Sequence, residues 1–144
     1  MLPIGRWVLE QACRDAASWL AAGLPLTRIA INVATSQLLS SEFTAEVQRA
    51  LAATGLPADH LEIEIIESAL LLDESAARRA IEDMKRLGVH VAIDDFGTGY
   101  SNLQRLKELN VDRLKIDRKL IADLVLDNRD AALSRAIIDM AFAL

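Results

Sequence analysis

Cysteine occurs once in these 144 residues, at Cys13, so no internal disulfide can form and the chain suits a reducing cytoplasm. Proline occurs three times, and no uninterrupted apolar run reaches the roughly 18 residues that a membrane span requires. Met1 to Arg6 lacks the long apolar stretch of a signal peptide. Basic clusters are missing as well. With 16 basic against 21 acidic residues the net charge is −5, which excludes DNA or RNA held through its backbone. Any nucleotide partner must be held by a local site or a metal. What is present is an ordinary core-forming composition, 52% hydrophobic and 26% charged, of one domain's length.

Four segments alternate in the strand period and end on polar residues in a common phase. They are Arg28 to Val33, Leu61 to Ile65, His90 to Asp95 and Arg113 to Asp117. Side chains alternate across a strand, so Ile29, Ile31, Val33, Ile63, Ile65, Val91, Ile93, Leu114 and Ile116 share one face. Asn32, Glu64, Asp94 and Lys115 fall on the other, near the C-terminal ends. Crowded carboxylates are costly unless a cation or hydrogen bonds compensate them, so the pattern reads as an active site.

Helical patterns separate these strands. Leu9, Cys13, Ala16 and Leu20 recur at helical spacing, with Gly23 as the stop. Phe43, Val47 and Leu51 mark a second helix between Ser41, a candidate N-cap, and Gly55. Ala77, Ile81 and Met84 mark a third between Ser75 and Gly88, and Leu103, Leu106 and Leu109 a short fourth. Leu133, Ala136, Ile137, Met140 and Leu144 mark a fifth. Strand starts near residues 28, 61, 89 and 113 fit the roughly 31 residues per unit of a (β/α)8 barrel. An open doubly wound sheet would give a similar pattern, and both architectures place sites at strand C-termini. Residues 1–144 open on a helix and close on an apolar one, as expected of a piece of a longer domain.

The densest chemistry lies in Val91 to Ser101, where a strand delivers Asp94 and Asp95 into a loop with two glycines. Adjacent Asp residues point to opposite sides of an extended chain unless the strand is ending. Both can then face one site and hold divalent ions for phosphodiester hydrolysis. An Asp-rich turn is the bland alternative, weakened by Glu64 and Asn32 in matching phase. Gly97-Thr98-Gly99 hints at a dinucleotide loop, but Asn102 stands where a third glycine belongs. Asp95-Phe96-Gly97 copies a kinase triplet without the other kinase motifs. Lys115 reads as a surface lysine on an edge strand, as a salt-bridge partner that neutralises the acids, or as a cation that orients metal-bound water or stabilises charge developing on phosphate. Glu62 and His90 read as a structural pair in the barrel floor, His60 as a solvated turn residue, and Glu67 as a loop anchor or a surface residue.

The ordered segments resemble the EAL domain, the cyclic di-GMP phosphodiesterase of bacterial signalling. They are Ile4 to Leu9, Ala12-Cys13, Ile31 to Ala34 with Gln37-Leu38, Leu61 to Ser68, Asp94 to Ser101 and Leu114 to Asp117. The resemblance implies an α/β fold, a partial TIM-like (β/α)8 barrel of about four βα units with parallel strands. It implies Asn32, Glu64, Asp94 and Asp95 as metal ligands, Lys115 as the catalytic lysine, and Glu67 as the residue steadying the loop after Asp95. Asp117 would contact substrate. The implied reaction opens one phosphodiester of cyclic di-GMP to linear pGpG with two Mg²⁺ or Mn²⁺ ions and a bridging water. The Phe96 to Ser101 loop would also lie near a dimer interface, and the parent chain would carry sensor or diguanylate cyclase domains and a membrane attachment.

Departures from the family pattern set the remaining expectations. The Glu-Ala-Leu strand and the last strands, each with a metal-ligand glutamate, are not in the sequence, so residues 1–144 alone are expected to be inactive and to associate. Ile66 replaces the threonine of the Glu-x-Thr-Glu motif, a substitution expected to weaken loop positioning, and Asn102 replaces a common serine. The rival functions are a non-catalytic cyclic di-GMP receptor and a protein-interaction or dimerisation module.

Overall fold

The computed structural model describes residues 3–97, 108–118 and 128–143. Helix α1, Pro3–Ala21, opens on a proline whose missing N–H costs nothing in a first turn, and buries Leu9, Cys13 and Ala16 along one face. Strand β1, Ile29–Asn32, is followed by the short helix α2, Thr35–Leu38, and by α3, Phe43–Thr54. A 3-10 turn, Ala58–His60, leads into β2, Leu61–Ile66. Helices α4, Ala69–Leu72, and α5, Glu74–Leu87, come next, then β3, His90–Phe96, and β4, Arg113–Ile116. Helix α6, Asn128–Ala143, is the last described element.

Gly55 and Gly88 end α3 and α5 in the left-handed conformation, with φ of 71° and 85°, where a Cβ would be strained. One N-terminal signal falls elsewhere than expected. Ser41 is not the cap of α3; that place belongs to Glu42, without a side-chain bond, while Ser40 Oγ accepts from Glu42 N at 3.3 Å. In α5 Ser75 lies in the first turn, near the helix start as expected, and the cap is Asp73, whose carboxylate accepts from Ala76 N at 2.9 Å. Of the fourth expected helix only Leu109 is described, and it is buried; Leu103 and Leu106 lie outside the described residues, as does Leu144 of the fifth.

The four strands are all parallel, in the order β1-β2-β3-β4. Each new strand lies beside the last, with no reversal of order, as in the wall of a barrel; a doubly wound sheet reverses at its switch point. Register places Ile31 beside Ile63, Ile63 beside Val91 and Ile93 beside Leu114, so the expected apolar face is continuous. Ile31, Ile63, Ile65, Val91 and Ile93 are buried with Leu9, Val47, Ile81 and Met84 from α1, α3 and α5. Burial of each such side chain is worth about 1.5–3 kcal/mol, and together these hold the sheet on its helices. Cys13 belongs to this core, where burial pushes its thiol up to about 11 and leaves it unreactive.

Candidate active site

Asn32, Glu64, Ala92 and Arg113 are register neighbours across the sheet, and Ile66 stands beside Asp94. One face of the sheet therefore carries, from its N-terminal to its C-terminal end, Glu62 and His90, then Asn32, Glu64 and Ala92, then Ile66 and Asp94. Lys115 lies on this face as well. Its ammonium donates to Glu64 Oε2 at 2.7 Å and stands 3.6 Å from Asp94 Oδ1. Glu64 is only 7% exposed, so the lysine supplies the compensation that a buried carboxylate needs. The hydrogen bond from Lys115 to Glu64, reinforced by the charges of Glu64 and Asp94, raises the lysine pKa against the smaller opposing effect of burial.

The strand exits are tied to one another. Val33 N donates to Glu64 O at 2.9 Å, Glu67 N to Asp94 O at 3.2 Å and Asp117 N to Phe96 O at 3.2 Å. Glu67 is buried, and its Oε2 accepts from Gly97 N at 2.9 Å, so the carboxylate just past β2 fixes the backbone just beyond Asp95. Ile66, 40% exposed, takes no part in those bonds. Asp117 is half-buried immediately after β4. Thr98 to Ser101 and Asn102 lie outside the described residues.

Asp94 and Asp95 sit at an irregularity. Ile93 pairs with Leu114 and Phe96 with Ile116, so three steps along β3 match two along β4, the count of a β-bulge. Asp95 has a φ of 54°, and its N–H donates to Asp94 Oδ1 at 3.0 Å. The left-handed residue breaks strict alternation, so Asp95 is not confined to the face opposite Asp94.

Lower on the sheet the expected Glu62–His90 pairing is replaced by two separate networks. Glu62, 1% exposed, accepts from Arg28 Nη1 at 3.4 Å and from Arg113 Nη1 at 3.1 Å. His90 Nδ1 lies 3.3 Å from Asp112 Oδ1 without a hydrogen bond between them. Asp112 binds Lys85 and accepts from Val91 N at 2.8 Å. Burial pushes the Asp112 carboxyl up, but those bonds and charges outweigh it and hold it below the usual range. His60, half-exposed, is not simply solvated: its Nδ1 bonds Thr27 O at 2.9 Å. Arg113, Ala92 and Asp112 escaped the sequence reading, although Arg113 and Glu62 each stand two residues before Lys115 and Glu64, a period-two signal.

The donors on the acid face, the Asn32 amide and the Glu64 and Asp94 carboxylates, are all oxygen, as is the adjacent Asp95 carboxylate, a set that suits a hard divalent cation. Among the described residues no three His, Cys, Asp or Glu side chains converge on one metal position. The Lys115 ammonium occupies the cationic place beside Glu64 and Asp94.

The sequence model of the EAL domain matches residues 1–144. The chain belongs to the EAL domain family. It is 43% identical over 135 residues, 94% of its length, to the cyclic di-GMP phosphodiesterase NbdA of Pseudomonas aeruginosa. It is 40% identical over 138 residues to the bifunctional diguanylate cyclase/cyclic di-GMP phosphodiesterase MucR of the same organism. It spans only 17% and 20% of those two proteins. Among solved structures, the PaMucR phosphodiesterase in its c-di-GMP complex superposes with a TM-score of 0.92 at 39% identity, over 97% of this chain and 57% of that one. The EAL domain of Mycobacterium smegmatis DcpA gives 0.87 at 40% identity, over 98% and 64%. The four βα units are thus part of a TIM-like EAL barrel, and the acid face lies at the C-terminal strand ends where such barrels carry their sites. Among the described residues no helix is long and apolar enough to cross a membrane.

Proposed function

We propose that this chain is part of a cytoplasmic cyclic di-GMP phosphodiesterase that opens one phosphodiester of its substrate to give linear pGpG. The observation that carries the reading is the Lys115 ammonium lodged against Glu64 and Asp94 at the C-terminal ends of parallel EAL strands. A scaffold has no need to gather acids and a lysine there. Asn32, Glu64, Asp94 and Asp95 would hold Mg²⁺ or Mn²⁺, with residues outside residues 1–144 completing the coordination. The bound cations would supply an activated water and charge neutralisation at the scissile phosphate. Lys115 directs its N–H groups at oxygen and stabilises the charge that gathers on phosphate. Glu67 keeps Gly97, and with it the Asp94-Asp95 turn, in place. Asp117, beside the β4 exit, would contact the nucleotide.

The test is nucleotide chromatography after incubating the full-length parent protein with cyclic di-GMP and Mg²⁺ or Mn²⁺. The wild type should yield pGpG, Asp94→Asn should abolish turnover with the fold intact, and Lys115→Ala should cut turnover by about 10²-fold. Residues 1–144 alone should produce none. Binding without cleavage by the parent would establish the receptor reading, and neither binding nor cleavage the interaction-module reading.

A further inference from the structure

Lys115 reaches Glu64 across a strand that separates them. Strand β3 lies between β2 and β4, yet Arg113 and Lys115 of β4 bond Glu62 and Glu64 of β2, at 3.1 and 2.7 Å. The two pairs are parallel rungs, each two residues further along both strands. What allows the reach is Ala92, fully buried and in register with both Glu64 and Arg113, which raises only a methyl group between them. The β3–β4 pairing is irregular beside Lys115, at the bulge between Ile93 and Phe96, and the lower rung adds a second constraint on the height of β4. Glu62 is buried and further fixed by Arg28, which precedes β1, so it is a rigid anchor for Arg113.

We infer that Arg113 is a positioning residue for Lys115: by gripping Glu62 over Ala92 it sets the height of β4 at which the lysine meets Glu64. Its relevance to turnover rests on the phosphodiesterase reading; the placement of the lysine does not. Arg113 is half exposed and holds no place in the proposed chemistry, so its effect must travel through Lys115.

The experiment compares the full-length parent protein with its Arg113→Ala and Arg113→Lys variants by the rate of amine acylation at each lysine, read by peptide mass spectrometry. Lys85, bound to Asp112, is the internal control. Arg113→Ala should raise Lys115 labelling roughly fivefold while Lys85 stays unchanged, and Arg113→Lys should restore most of the protection. Unchanged Lys115 labelling overturns the proposal, and so does an equal rise at Lys85, which would mean a general loosening. If Arg113→Ala does not fold, Arg113→Gln takes its place with the same deciding outcomes. The same proteins are assayed for pGpG, where kcat should fall with KM held and recover in Arg113→Lys. A parent protein that labels as expected but never cleaves cyclic di-GMP defeats the phosphodiesterase reading and leaves the ladder standing.

Discussion

Glu67 and Gly97 join the ends of two neighbouring strands: the buried carboxylate of one accepts the backbone N–H of the other at 2.9 Å. This bond closes the turn that carries both aspartates, and it has a direct test. Glu67→Ala leaves a partly buried N–H without its acceptor and should cost about 1–3 kcal/mol in urea unfolding. Glu67→Gln keeps a carbonyl oxygen and should cost distinctly less. Amide exchange at Gly97 should accelerate in the alanine variant only. Equal losses in both variants would mean that the bond contributes nothing.

Asp95 reverses a familiar ordering. At a φ of 54° an alanine is strained and a glycine is not, so Asp95→Gly should be more stable than Asp95→Ala by about 1 kcal/mol. Both variants lose the same carboxylate, which removes side-chain interactions from the comparison. Thermal denaturation of the pair decides it; a more stable alanine variant would contradict a left-handed residue here.

The lysine above Glu64 makes a pH prediction. Its pKa is raised from an ordinary 10.5, chiefly by the bond to Glu64, so the folded state holds the proton more tightly than the unfolded chain. The stabilisation is fully present below the unfolded value and is lost as pH rises through the raised one. The melting-temperature gap between wild type and Lys115→Met should stay constant from about pH 7 to 10 and shrink above that. A gap that widened in alkali would reverse the assignment.

Association is the expected behaviour of residues 1–144 expressed alone. Strands β1 and β4 have one partner each among the described residues, and Ile4, Trp7 and Phe142 are 75%, 60% and 88% exposed. Open parallel edges and exposed apolar side chains favour pairing with other copies. Light scattering after size exclusion should show dimers or larger species. A monodisperse monomer with a cooperative melt would refute this.

The strand phases were legible because period-two alternation survives any packing that covers one face, and every apolar residue from Ile29 to Ile116 that set the phase kept its side. Helix ends at Gly55 and Gly88 were legible because glycine relieves a steric penalty wherever it stands. Helices α2 and α4 were not, since four residues are too few to display a 3.6 period. The cap of α3 was misplaced because serine and glutamate near a helix start compete on local geometry that the sequence does not state. Glu62 and His90 do stand side by side in register, yet each found a different partner, Arg113 and Asp112, from beyond its own strand. The backbone reversal at Asp95 left no sequence signal beyond a residue type that tolerates it.

Because the strands lie in the sheet in the order in which the chain runs, each one finds its neighbour a single crossover away. No strand must wait for a partner from the far end of the molecule, and the loop-closure cost of each addition is nearly the same. A ribosome delivering this segment would release one βα unit at a time, each able to dock on the edge left by its predecessor. The acid face would therefore be assembled progressively, with Glu64 in place beside Asn32 before Asp94 emerges, and Lys115 arriving last to neutralise charges already gathered.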